Sequence, residues 1–148
     1  MLLTNHVMTG ALIGLKVQDP ILEAPTAFAS HIVLDSFPHF GFPERYMAEG
    51  FKGRFGFTVA ALDVTIASTA YLLLIMTFPD RWLDITVGVF FAALPDLVYI
   101  PQHFFNITIG KAFLKFHSVV QWGEFPAGIA VDAAWFGLVL MLILRLPR

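Results

Sequence analysis

The sequence predicts an all-α fold, a single helical bundle of four or five membrane helices with an interfacial amphipathic segment, and three observations carry that expectation. Of 148 residues, 57% are hydrophobic and only 14% charged, with a mean hydropathy of +0.74, a balance unlike that of a soluble domain. The apolar residues gather into runs near the length of about 20 residues that a helix needs to cross a bilayer. No Gly/Ser linker, low-complexity tract or long charge run divides the chain, so one domain, 1–148, is expected.

The elements follow in order. Leu2–Val17 is short, and reads either as a span or as half of a re-entrant hairpin; both return the chain to the side where it began. Its opening, MLLTNHVMTG, lacks the basic region of a secretory signal, so the segment is expected to be retained. His6, Gly10 and Gly14 share one stripe, and Gly10 and Gly14 form a GxxxG surface suited to close helix packing. Ile21–Phe37, entered through Pro20 and left through the turn-forming PHFGFP, is marginal in length. Phe55–Phe78, Trp82–Ile100 and Phe125–Leu146 are long enough to span. Between Gln102 and Trp122 the pattern is mixed, with Lys111 and Lys115 four apart, as in an interfacial amphipathic helix or irregular cap. The aromatics, including Trp82, Trp122 and Trp135, fit lipid contact and interfacial anchoring.

If each apolar segment reverses direction, the amino terminus, the Phe40–Arg54 loop and the Pro101–Glu124 region share one face. All five histidines, His6, His31, His39, His103 and His117, then belong to that side, with His31 deeper than the rest. On this reading Asp35 and Asp96 lie about four residues inside their helix ends, and His31, Asp63 and Asp132 about eight, roughly 12 Å at 1.5 Å per residue. Arg45, Lys52, Arg54, Lys111 and Lys115 stand on the histidine face against Lys16, Arg81, Arg145 and Arg148 opposite, a slight lean towards a cytoplasmic site.

Ionisable side chains within membrane segments are costly and therefore point to function. His31, Asp35 and His39 recur at intervals of four, along one helix face if the helix outlasts Pro38; Asp96 and His103 are seven apart, on one face if it survives Pro101; His117, Gln121 and Glu124 repeat similarly. With no cysteine in the chain, an imidazole and carboxylate set suits zinc first, with manganese or ferrous iron as alternatives. The expected metal ligands are His6, His31, Asp35, Asp96 and His117. Asp63, Glu124 and His39 are the expected base or supporting residues. Each has a plainer role available: interhelical hydrogen bonding for Asp63 and Asp132, a helix-start carboxylate for Glu124.

His6 before a glycine-striped helix, the Leu94–Pro95–Asp96 sequence and the His117–Ser118 pair resemble the bacterial membrane-bound metal-dependent hydrolases of the LexA-regulated inner-membrane type. That family is distantly similar to zinc-dependent phospholipase C proteins. The resemblance covers most of the chain through short motifs, and implies a polytopic membrane fold with metal-dependent hydrolase activity in which His6, Asp96 and His117 take part. The sequence departs from the pattern at Val98, where a second acid is common, and after His103, which no arginine follows. The run from His31 to His39 is similar to a small group of uncharacterised bacterial membrane proteins with an LDxxPH signature, and would supply replacement ligands.

The function expected is hydrolysis of a lipid-linked or amphiphilic phosphoester by a metal centre in the bacterial plasma membrane, since two-metal and one-metal sites both suit such chemistry. Membrane lipid is the expected partner, with a lipid phosphate as substrate; a net charge of −2 offers no basis for nucleic acid, and the oligomeric state is left open. Two other classes remain. A small transporter or proton-coupled carrier would also place His and Asp at mid-depth, and DSFPHF at Asp35–Phe40 faintly echoes DLVYIPQHF at Asp96–Phe104. A noncatalytic metal-binding or assembly protein would use the same residues to fix packing.

Overall fold

A computed structural model describes residues 1–41, 54–105, 107, 108 and 110–147. Arg45, Lys52, Arg148 and the side chains of Arg54 and His103, on which the charge count and one helical spacing rested, lie outside the described residues. The fold is all-α: α1 (Leu3–Val17), α2 (Pro20–Asp35), α3 (Arg54–Thr77), α4 (Trp82–Leu97), α5 (Tyr99–Phe105), α6 (Lys111–Val120) and α7 (Ile129–Leu144), with β1 (His39–Phe40) and β2 (Glu124–Phe125) as one small addition.

Local chemistry sets the boundaries. α1 stops where Gln18 takes a left-handed φ of 57°, and Pro20 cannot extend it but suits the first position of the next helix. The Asp19 carboxylate caps α2 by accepting the Ile21 N–H at 3.0 Å. Three stretches, Phe55–Thr77, Pro79–Pro101 and Pro126–Leu144, are helical, long and apolar enough to cross a membrane. α1 and α2, at 15 and 16 residues, fall short of that length. The helical path does continue through Pro101, but it breaks at Val98, so Asp96 and His103 sit on different helices. α6 is amphipathic as expected: Leu114 and His117 face inward while Lys111 and Lys115 are exposed.

α1 is the centre of the bundle rather than a peripheral hairpin. Nearly every residue from Thr4 to Leu15 is buried, and the helix packs on α2, α3, α4 and α7. Its GxxxG stripe makes this possible, because a Cβ on Gly10 would collide with the Gly88 carbonyl of α4, and one on Gly14 with the Asp84 carbonyl. Small residues on both sides let the two backbones touch. The far half of α1 closes an apolar core with Met8, Ala11, Leu15, Leu74, Phe78, Ile85, Val139 and Ile143. Its near half, Thr4–His6, is polar and buried, so the bundle has an oily end and a polar end.

Asp132 differs from the sequence expectation. It lies in the first turn of α7 rather than eight residues inside, because Phe125 enters β2 and Pro126–Gly128 forms a 3-10 turn before the helix begins. β2 pairs in parallel with β1, His39 opposite Glu124 and Phe40 opposite Phe125, and only glycine fits at 128, where a Cβ would meet the His39 carbonyl. This ladder ties the segment after α2 to the start of α7 at the polar end.

Candidate metal centre

Four side chains meet where the ends of α2 and α4 approach α6. His31 and Asp35, one turn apart on α2, Asp96 near the end of α4 and His117 on α6 each offer one ligand atom, all within 4.8 Å of one another. His31 Nε2 stands 2.9 Å from His117 Nε2 and 3.1 Å from Asp35 Oδ2; His117 Nε2 is also 3.1 Å from Asp35 Oδ2, and Asp96 Oδ1 is 3.6 Å from His31 Nε2. His31, Asp35 and His117 are fully buried, whereas Asp96 is 32% exposed. The expected proximity of His31 and Asp35 to Asp96 is therefore present.

The hydrogens of both imidazoles are committed away from this meeting point. His31 Nδ1 is 2.7 Å from the Ala92 carbonyl, which only accepts, so Nδ1 carries a proton and, in the neutral ring, Nε2 a lone pair. The Tyr99 hydroxyl donates to the Leu114 carbonyl at 3.2 Å and so accepts from His117 Nδ1 at 3.1 Å. His117 thus presents a lone pair on Nε2 as well. At 2.9 Å beside a carboxylate the two Nε2 atoms need either a proton or a metal ion between them, and a metal ion would meet that need with the ring orientations already fixed from behind. Replacing Tyr99 with Phe removes the acceptor that orients His117; metal affinity measured by competition with a chromogenic chelator is expected to fall roughly 10- to 100-fold, with the fold retained.

His6 stands one step back from the ligand atoms. Its Nε2 lies 3.1 Å from Asp35 Oδ1, on the carboxylate oxygen turned away from His31 and His117, and its ring stacks on that of His31 with centroids 3.8 Å apart. The Met1 amino group shares Asp35 Oδ1, and Gln121 Nε2 donates to Oδ2 at 3.1 Å.

The three residues expected as bases are not among the four grouped donors. Both oxygens of Asp63 are engaged at the start of α1: Oδ2 accepts the Leu3 N–H at 2.7 Å, and Oδ1 the Thr4 N–H at 3.0 Å and hydroxyl at 2.6 Å. His39 Nδ1 donates to the Phe37 carbonyl at 2.7 Å, while Nε2 points towards Glu124 at 3.8 Å, beyond hydrogen-bond reach. The expected continuity of His31, Asp35 and His39 along one helix fails because α2 ends at Asp35 and His39 is in β1. Tyr99 and Glu23 went unnoticed in the sequence, and Gln121 was noted only for its spacing with His117 and Glu124. Glu23 is fully buried beside Gly14 and Gly88, yet as an acid in a helix's first turn it carries only the signal of an ordinary dipole partner.

Comparison with family models, with curated proteins and with solved structures finds no match to this chain.

Proposed function

We propose that the chain is an integral membrane hydrolase of the bacterial plasma membrane whose divalent metal centre cleaves a lipid-linked or amphiphilic phosphoester. One observation carries the reading: two buried imidazole Nε2 atoms and a carboxylate converge at 2.9–3.1 Å with each ring's Nδ1 hydrogen committed elsewhere. In this reading α1 and α2 join the three long helices as the fourth and fifth membrane helices, α1 shielded within the bundle and α2 turning Ile21, Leu22 and Val33 outward. His31, Asp35 and His117 hold the ion, His6 and Gln121 steady Asp35, and Asp96 keeps the site in touch with its surroundings. A bound divalent ion supplies Lewis acidity and a water acidic enough to act near neutral pH. Donor types alone favour zinc, with manganese or iron as alternatives.

The near-complete burial of His6, His31, Asp35 and His117 also favours a second reading, a noncatalytic metal-binding protein in which the ion fixes the polar end. Elemental analysis in mild detergent, paired with hydrolysis of a chromogenic phosphodiester and of short-chain phospholipid, separates them. The hydrolase reading expects bound metal, turnover lost together with metal in His31→Ala, and both kept in Lys111→Ala, because an ammonium is not a ligand at neutral pH. It also expects metal release as pH falls through the imidazole range, about 6.5 when unperturbed. Metal without turnover supports the structural reading. Protein that purifies metal-free and takes up no zinc, manganese or iron overturns both.

A further inference from the structure

At the end of the bundle away from the metal centre, the ends of α1, α3 and α7 leave two cavities that share a wall. The first, about 210 Å³, opens between Lys16 and Gln18 at the end of α1 and Arg81 in the turn before α4. The second, about 190 Å³, runs between α3 and α7; the buried Leu74 and Ile143 line its inner side, and the exposed Leu73 and Leu144 its outer side. Every residue lining this trough is apolar except Thr77. Phe78 and Leu146 belong to both cavities, so a cationic mouth continues into an apolar trough.

The mouth is built to hold an anion at the level of lipid headgroups. Arg81 Nε donates to Asp84 at 2.8 Å, and a terminal nitrogen of the same guanidinium reaches the Gly14 carbonyl at 3.5 Å. These contacts hold the group in place and leave its other N–H groups for the cavity it lines. Asp84 offsets the charge of Arg81, whereas the exposed Lys16 has no ion-pair partner among the described residues. Gln18 spends its amide on the Leu15 carbonyl at 3.1 Å, so Lys16 is the charge on that wall. Lys16 lies ten residues beyond His6 on α1, roughly 15 Å at 1.5 Å per residue. Trp82, 56% exposed next to Arg81, is of a residue type that gathers at the membrane–water boundary.

We propose that mouth and trough together bind one anionic phospholipid of the surrounding bilayer, its phosphate between Lys16 and Arg81 and the upper part of an acyl chain between α3 and α7. Neither cavity reaches the roughly 300 Å³ at which pockets begin to enclose a drug-sized ligand, which suits a ligand that leaves most of its length in the bilayer. A soluble phosphate would have no use for a trough of leucines, and a neutral lipid would leave Lys16 without a counter-charge. Set at the opposite end of α1 from His6, the site holds a resident lipid rather than a substrate of the metal centre. It rests only on the membrane placement that the three long apolar helices support, and stands whether or not the metal-centre reading does.

The full chain, purified in detergent and stripped of lipid, is mixed with phosphatidylglycerol and phosphatidylcholine of the same acyl chains, and bound lipid is counted by native mass spectrometry. One phosphatidylglycerol per chain is expected to be retained in preference to phosphatidylcholine. Lys16→Gln, at an exposed position, should weaken that binding roughly fivefold, the effect of one basic side chain near a headgroup layer, while Lys111→Gln on α6 should leave it unchanged. Leu140→Trp, which fills the trough, should lower retention as well, and inorganic phosphate should not displace the lipid. Equal retention of the two lipids, or a loss in Lys111→Gln that Lys16→Gln does not show, overturns the proposal. Displacement by inorganic phosphate, or full retention in Leu140→Trp, removes the trough from the site and overturns the lipid assignment.

Discussion

Asp35→Ala is expected to empty the metal centre and to lower stability by about 3–5 kcal/mol, the cost typical of removing one partner from a buried ionic cluster. Asp35 is completely buried, and its two oxygens collect the Met1 amino group, His6, His31, His117 and Gln121. Without it, the imidazoles of His31 and His117 keep only the partly exposed Asp96 carboxylate, 3.6 Å from His31 Nε2, to hold a cation beside them. Asp35→Asn is the informative companion. It keeps the volume and one acceptor oxygen but removes the charge, so the fold should recover in part while metal binding should not. Thermal unfolding in detergent with parallel elemental analysis reads both quantities. A stable Asp35→Ala protein with full metal content would show that the ion, if any, sits elsewhere.

The contrast between Asp35 and its neighbours explains how much of this site was legible beforehand. His31 and Asp35 are one helical turn apart in an apolar run, and helical spacing alone places them on one face; the structure has them 3.1 Å apart. Asp96 and His117 were candidates because charge or imidazole in an apolar context has few cheap explanations. Tyr99 carried no such signal, and Gln121 only its helical spacing from His117. A tyrosine in an apolar stretch reads as an interfacial anchor, and the amide at 121 acquires meaning only when α6 lies against α2. The two deep aspartates of α3 and α7 were ambiguous for a related reason. Asp63 and Asp132 were noticed for their burial cost, correctly weighed as either site groups or interhelical bonds, and which of these applies depends on where residue 2–5 backbone lies, a contact across more than 50 positions that no periodicity encodes.

The central position of α1 was hidden in the same way. Its length and composition fit a short span or hairpin, yet Thr4, Asn5, His6 and Thr9 are all buried. They are tolerated there because acids and an indole from other helices reach them: Asp63 bonds Thr4, Asp132 bonds Asn5, Asp35 bonds His6, and Trp135 Nε1 donates to Thr9 at 3.0 Å. Carboxylates from α3 and α7 take the first N–H groups of α1, where the helix dipole favours negative charge. The polar end of the bundle thus carries the candidate metal-ligand triangle at one side and the α1 anchorage at the other.

That division yields the second large effect. Asp132→Ala should destabilise the fold by several kcal/mol while leaving metal stoichiometry in the folded fraction unchanged. Asp132 is 2% exposed; its Oδ1 accepts the Leu2 N–H at 3.0 Å and the Asn5 side-chain amide at 2.8 Å, and its Oδ2 accepts the Phe40 N–H at 2.7 Å. Alanine forfeits all three bonds, and each buried donor deprived of its acceptor costs about 1–3 kcal/mol. Asp132→Asn should rescue incompletely, since one oxygen can serve Leu2 and Asn5 but the new amide then confronts another N–H group. The loss should appear as a lower unfolding midpoint with the anchorage of α1 loosened, detectable as faster amide exchange over residues 2–5. None of the four donor atoms depends on Asp132, so metal bound per folded molecule should match that of the unaltered chain. Equal loss of metal in Asp132→Ala and Asp35→Ala, at temperatures where both remain folded, would mean that the anchorage and the ligand triangle act as a single unit.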